Sequence, residues 1–190
     1  MRQPYLSLLA TPDVRVEFRQ DLTAHRGKLL SAQRLGSPVH AGTFLHRNLI
    51  VLDSALQRRP TELRRILLHE LAHFTWWRLG NPKRLSWERL LAAELEKNVA
   101  GELGWSSEWR KQALSPADRK QRTRKWREYC CESFCDSAAW FCAAKRRHPE
   151  WTLPASSRKP RRAFFNSFYV GSETCALLAK LEKTSTVVKP

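Results

Sequence analysis

The chain has 190 residues, 42% of them hydrophobic, which suffices for one domain with a buried core and no covalent staples. Its 34 Lys and Arg outnumber 18 Asp and Glu, and the formal net charge of +16 favours polyanionic surroundings such as nucleic acid or an anionic membrane surface. The longest apolar run, Ala138 to Ala144, falls far short of the roughly 20 residues that cross a bilayer, so no membrane span is expected.

At the start of the chain, Leu6 to Ala10 is too short for the apolar region of a secretory leader. With an odd set of five cysteines, this predicts free thiols and a cytoplasmic protein. Val14, Val16 and Phe18 alternate with Arg15 and Glu17, which predicts a half-buried strand. A second strand is expected through Gly42 to Asp53, apolar at Leu49-Ile50-Val51-Leu52 and turning at Asp53.

Pro60-Thr61-Glu62 has the composition of a helix start, with Thr61 able to cap and Glu62 near the positive end of the dipole. Leu63, Ile66, Leu67, Leu71 and Phe74 recur at helical spacing, and Gly80-Asn81-Pro82 is a stop signal, so a helix is predicted from about Glu62 to Leu79. Ser86 opens a second predicted helix reaching about Leu103. Ser115-Pro116-Ala117-Asp118 opens a third, combining a cap, an N1 proline and an acid three residues on, and running to about Arg147 before His148-Pro149. Thr152 to Arg162 reads as a basic loop, Ser172 to Lys183 as a last short helix and 184–190 as a flexible tail. The expected fold is α+β and helix-rich: one domain over 1–190, with a small antiparallel or mixed sheet packed on a motif-bearing helix and a second helix beside it.

Within the first predicted helix lies His69-Glu70-Leu71-Ala72-His73. Residues i and i+4 share a helical face, so both imidazoles can reach one tetrahedral ion, and Glu70 can reach a water on that ion. Positions 66 to 68, 71, 72 and 74 carry no charge, as a low-dielectric groove requires. A catalytic zinc usually has a third protein ligand. The position six residues after His73 is Leu79, which excludes the metzincin pattern. Glu132 in Cys131-Glu132-Ser133-Phe134-Cys135-Asp136 is the foremost candidate, with Asp136 one turn on and able to accept the free ring N–H of a ligating histidine. Glu94, Glu96 and the thiolates of Cys131 and Cys135 are the rivals. Glu94 stands 21 residues after His73, but Asn98 replaces the acid expected four residues later.

His-Glu-x-x-His at 69–73 with Glu-x-x-x-Asp at 132–136 resembles the gluzincin metallopeptidases, nearest the soluble cores of the CaaX-prenyl-protease and HtpX-like enzymes, over residues 42–142. The strand before the zinc helix is also similar to SprT-like and minimal gluzincin domains. The resemblance implies a zincin-like fold and a zinc-dependent peptidase, an endopeptidase rather than an exopeptidase, acting on a protein or peptide. It implies His69, His73 and Glu132 as zinc ligands, Glu70 as catalytic base and Asp136 behind the ligands. The membrane helices of those enzymes have no counterpart here, nor does the long basic stretch between the motifs match.

His148, Tyr129 and Tyr169 are candidates to stabilise an oxyanion, and the 42–53 segment offers a strand edge for an extended peptide. Eight tryptophans read as core and groove lining. The basic runs at Arg119 to Arg127, Lys145 to Arg147 and Arg158 to Arg162 support a second expectation, a nucleic-acid-associated protein, either SprT-like or a binding module with a structural metal.

Overall fold

The computed structural model describes residues 14–33, 35–143 and 147–167. The predicted helix at Ser172 to Lys183, the tail and Tyr169 lie outside them. The described chain is α+β, with six strands and six α-helices. Strands β1 (Arg15–Arg19), β6 (Leu49–Asp53) and β5 (Ala41–Phe44) form a mixed sheet in that order, β1 parallel and β5 antiparallel to β6. Strands β3 (Lys28–Leu30), β2 (Thr23–His25) and β4 (Ser37–Pro38) form a small antiparallel sheet.

The unbroken apolar run of β6 follows from burial on both faces. Ile50 and Leu52 pack toward Ile66 and Phe74 of helix α1 (Pro60–Arg78), while Leu49 and Val51 pack on Leu22, Leu29 and Val39. The single strand expected over Gly42 to Asp53 is a hairpin, because Asn48 takes the left-handed conformation (φ 47°) and turns the chain back. Asp53 ends β6 as expected, its carboxylate accepting the N–H groups of Ala55 and Leu22.

Helix α1 begins at Pro60 rather than at a Thr61 cap; Arg59 holds the cap position and Thr61 is already helical. It ends at Arg78, with Leu79 and Gly80 extended, and Asn81-Pro82, read as part of a stop, opens α2 (Asn81–Glu96). Pro82 has no N–H to lose in a first turn, so one proline can end one helix signal and start the next element. The Arg84 guanidinium donates to the carbonyls of Trp76 and Trp77 at 2.7 Å each and satisfies the end of α1.

The Ser115 capping box forms, but α4 (Pro116–Lys120) is only a short turn of helix. Arg122 at φ 48° interrupts the predicted continuation, which resumes as α5 (Arg124–Cys142) and stops before Arg147. Helix α3 (Trp105–Gln112) is a further element that the apolar spacing did not signal. Helix α5 packs along α1, where the small buried residues Ala72, Ala138 and Ala139 permit close approach. Among the described residues no helix is long and apolar enough to cross a membrane.

The basic loop expected over Thr152 to Arg162 is mostly helix α6 (Ala155–Asn166). Phe164 and Phe165 pack against Trp87 and Phe134, and Arg161 is fully buried, so part of this basic run belongs to the core. Arg161 Nη2 donates to Glu94 Oε2 and Nη1 to Glu102 Oε2, both at 2.6 Å, with Ser133 and Ser137 accepting from the same guanidinium. Burial pushes the Glu102 carboxyl up, but the charge and hydrogen bonds of Arg161 outweigh it and bring it below the ordinary range.

Arg161→Ala would strand two buried carboxylates, and we expect a loss of about 3–5 kcal/mol in urea unfolding; a loss under about 1 kcal/mol contradicts this role. The sign with pH follows: the Glu102 contribution is complete above the ordinary carboxylate pKa of about 4 and is lost as pH falls through the lowered folded-state value.

Candidate metal centre

Helix α1 supplies His69, Glu70 and His73, and α5 supplies Glu132 and Asp136. His69 Nδ1 lies 2.7 Å from Asp136 Oδ1, and Nε2 lies 3.3 Å from Glu132 Oε2. Asp136 Oδ2 also accepts the backbone N–H of Ser107 at 2.9 Å and its hydroxyl at 2.7 Å. A carboxylate accepts, so the 2.7 Å contact places a proton on Nδ1, an arrangement that turns Nε2 toward Glu132 as the ring atom able to coordinate an ion. The His69 and His73 rings stand edge to face with centroids 5.0 Å apart. Glu70 is buried, and its Oε2 accepts the Thr43 hydroxyl at 2.6 Å, tying the carboxylate to edge strand β5.

Burial would push the His69 imidazole down, but Asp136, Glu132 and Glu70 outweigh it and hold its pKa well above the ordinary value. Burial likewise raises Glu132, whereas the hydrogen bond from His69, the two imidazoles and Arg110 together bring it to about 2. Two imidazoles with raised pKa against an ionised carboxylate form a donor set that suits a divalent cation: the ion replaces protons as the balancing positive charge. The residues present therefore fit a divalent cation of the zinc type.

A thiol competes for the third position. Ligand atoms of His69, His73 and Cys135 all lie within 4.8 Å of one another. Cys131 Sγ lies 3.6 Å from His73 Nδ1, and its hydrogen bonds with Cys135 and His73 bring its pKa to about 6 against the effect of burial. Cys135 is fully buried, and burial and the neighbouring Cys131 hold it well above the ordinary thiol range. Glu132 is ionised and its oxygen lies 3.3 Å from His69 Nε2, whereas Cys135 shares a tighter cluster with both imidazoles; because a bound cation deprotonates a coordinating thiol, carboxylate and thiol are both competent third donors.

No family model, curated protein or solved structure matches the chain.

The other rival ligands are engaged elsewhere. Both oxygens of Glu94 accept from Arg161, and Glu96 is exposed and paired with Arg119 at 2.6 Å. Two expected oxyanion donors are also committed. Tyr129 is buried and donates to Glu102 at 2.6 Å, and His148 Nε2 pairs with Glu62 at 2.9 Å while Nδ1 accepts the Glu150 N–H.

Sequence reading missed Thr43, Gly104, Ser107 and Arg110. Arg110 Nη2 lies 3.6 Å from Glu132 Oε1, and its guanidinium sits over the Trp109 ring at 4.2 Å. A side chain at Gly104 would fall on the Asp136 carboxylate, so the close approach of α3 to α5 requires glycine there. The only cue was Gly104-Trp105-Ser106-Ser107, a short polar stretch after a glycine, which does not specify a partner 29 residues away.

Proposed function

We propose that the chain is a zinc-dependent peptidase of gluzincin type, with His69, His73 and Glu132 holding the metal and Glu70 acting as general base. The observation that carries this reading is the pair of contacts on His69, Asp136 on one ring nitrogen and Glu132 beside the other. It joins the two motifs through one side chain, with the tautomer that coordination through Nε2 needs. The mixed sheet against α1 and the packing of α5 on α1 agree with a zincin-like arrangement.

Bound zinc would supply Lewis acidity, polarising the scissile carbonyl and lowering the pKa of a coordinated water. Glu70 takes a proton from the attacking water as the new C–O bond forms, then passes it to the leaving amine as the C–N bond breaks. Thr43 orients the Glu70 carboxylate by donating to Oε2. The same residue sits on β5, whose outer edge carries no strand partner among the described residues, so an extended peptide can pair there beside Glu70. This edge supports a protein or peptide as substrate and internal cleavage over end trimming.

The test is metal-dependent cleavage: protein stripped with a chelator and reloaded with one equivalent of zinc is expected to regain hydrolysis of a denatured protein. Failure to bind zinc, or cleavage that persists in the stripped protein, contradicts the reading.

One observation favours an additional nucleic-acid contact. Lys120, Lys125 and Arg127 are exposed together across the α4–α5 junction, beside exposed Arg122 and Arg124, which have acidic partners in Glu88 and Glu128. If these side chains meet phosphates, affinity for a single-stranded oligonucleotide falls steeply with salt, with a log–log slope near −0.7 per contact. Absence of binding at low salt removes this reading and leaves the peptidase reading untouched.

A further inference from the structure

We propose that Ser107 is a positioning residue of the metal centre: by holding Asp136 it holds His69, and thereby sets metal affinity from a helix that carries no ligand. This rests on the metal reading above. Asp136 commits its two oxygens to different partners, Oδ1 to His69 at 2.7 Å and Oδ2 to the N–H and hydroxyl of Ser107. Such a carboxylate cannot rotate without breaking one side, so the orientation of the His69 ring is transmitted from α3.

The arrangement is local in origin. Gly104 is the N-cap residue of α3, with no side chain of its own to offer, and Ser107 lies in the first turn, where backbone N–H groups lack intrahelical partners. Asp136 fills that role from α5, and the bare Cα of Gly104 leaves the room for it. Arg110, one turn beyond Ser107 and on the same face, reaches Glu132. One face of α3, Gly104-x-x-Ser107-x-x-Arg110, therefore meets both acids of Glu132-x-x-x-Asp136. Ser107 and Asp136 are both almost fully buried, so water does not replace the lost bond freely.

Zinc affinity measured by chelator competition, independent of activity, tests this. Ser107→Ala removes the hydroxyl bond and leaves the backbone N–H bond to Asp136, and is expected to weaken zinc binding about 3- to 10-fold. In an Asp136→Ala background the same change is expected to add less than about twofold, because its path is already broken. Ser106→Ala, one residue away, serves as the control with wild-type affinity. A folded Ser107→Ala protein within about twofold of wild type overturns the proposal, as does a loss that simply adds to that of Asp136→Ala.

Amide exchange on the unmodified protein gives a second readout that needs no variant to fold: zinc is expected to slow exchange at the Ser107 N–H at least about tenfold, and an unchanged rate overturns the proposal. A wild-type protein that binds no zinc overturns the metal reading and this proposal together, whereas normal wild-type binding with an indifferent Ser107 overturns this proposal alone.

Discussion

A Glu70→Gln protein is expected to bind zinc with wild-type stoichiometry and to cleave peptide about 10²- to 10⁴-fold more slowly, the usual worth of a positioned general base. The substitution preserves size, and its amide oxygen can still accept the Thr43 hydroxyl that holds Glu70 at 2.6 Å. What it removes is the capacity to take a proton. The loss should therefore fall on kcat, with KM little changed, because the side chain acts on the water and not on the substrate. Parallel loss of zinc would instead make Glu70 part of the metal site, and near-normal turnover would place the base elsewhere.

Glu132→Ala is expected to weaken zinc binding by about 10²-fold or more, beyond the 10- to 100-fold typical of residues that only support a ligand. Without it, Nε2 of His69 faces no carboxylate and the two imidazoles lose the negative charge that balances the ion. Cys135→Ala provides the counterweight, since Cys135 shares the cluster with His69 and His73. Chelator competition on both variants decides between them: the carboxylate reading requires Glu132→Ala to be much the weaker binder, and the reverse order assigns the third position to the thiol.

The histidine half of the site was legible because it is local. His69 and His73 are bound by helical periodicity, and the apolar spacing of α1 is independent of the motif it carries. Glu132 and Asp136 were legible for the same reason on α5, and their meeting with His69 rested on the need for a third ligand and on the resemblance, not on anything periodic. Thr43, Ser107 and Arg110 were out of reach: each works through a contact 22 to 29 residues away in sequence, and serines and arginines are ordinary at helix surfaces.

In the fold, errors arose where tertiary burial overrode composition. The Arg158 to Arg162 run has the charge of a solvated loop, yet Arg161 is drawn into the interior by Glu94 and Glu102, and the surrounding segment becomes helical as Phe164 and Phe165 dock on Trp87. Hairpin and helix breaks were hidden differently. Asn48 and Arg122 take left-handed conformations at non-glycine positions, so neither turn carried the glycine that would have announced it.

A metal centre built by α1 and α5 with two imidazoles and the Glu132 carboxylate is open to zinc K-edge X-ray absorption on the loaded protein, because light-atom and sulfur ligands differ in distance. A shell of nitrogen and oxygen only, at about 2.0 to 2.2 Å, is expected. A sulfur contribution at about 2.3 Å would contradict it and move the third ligand to a cysteine.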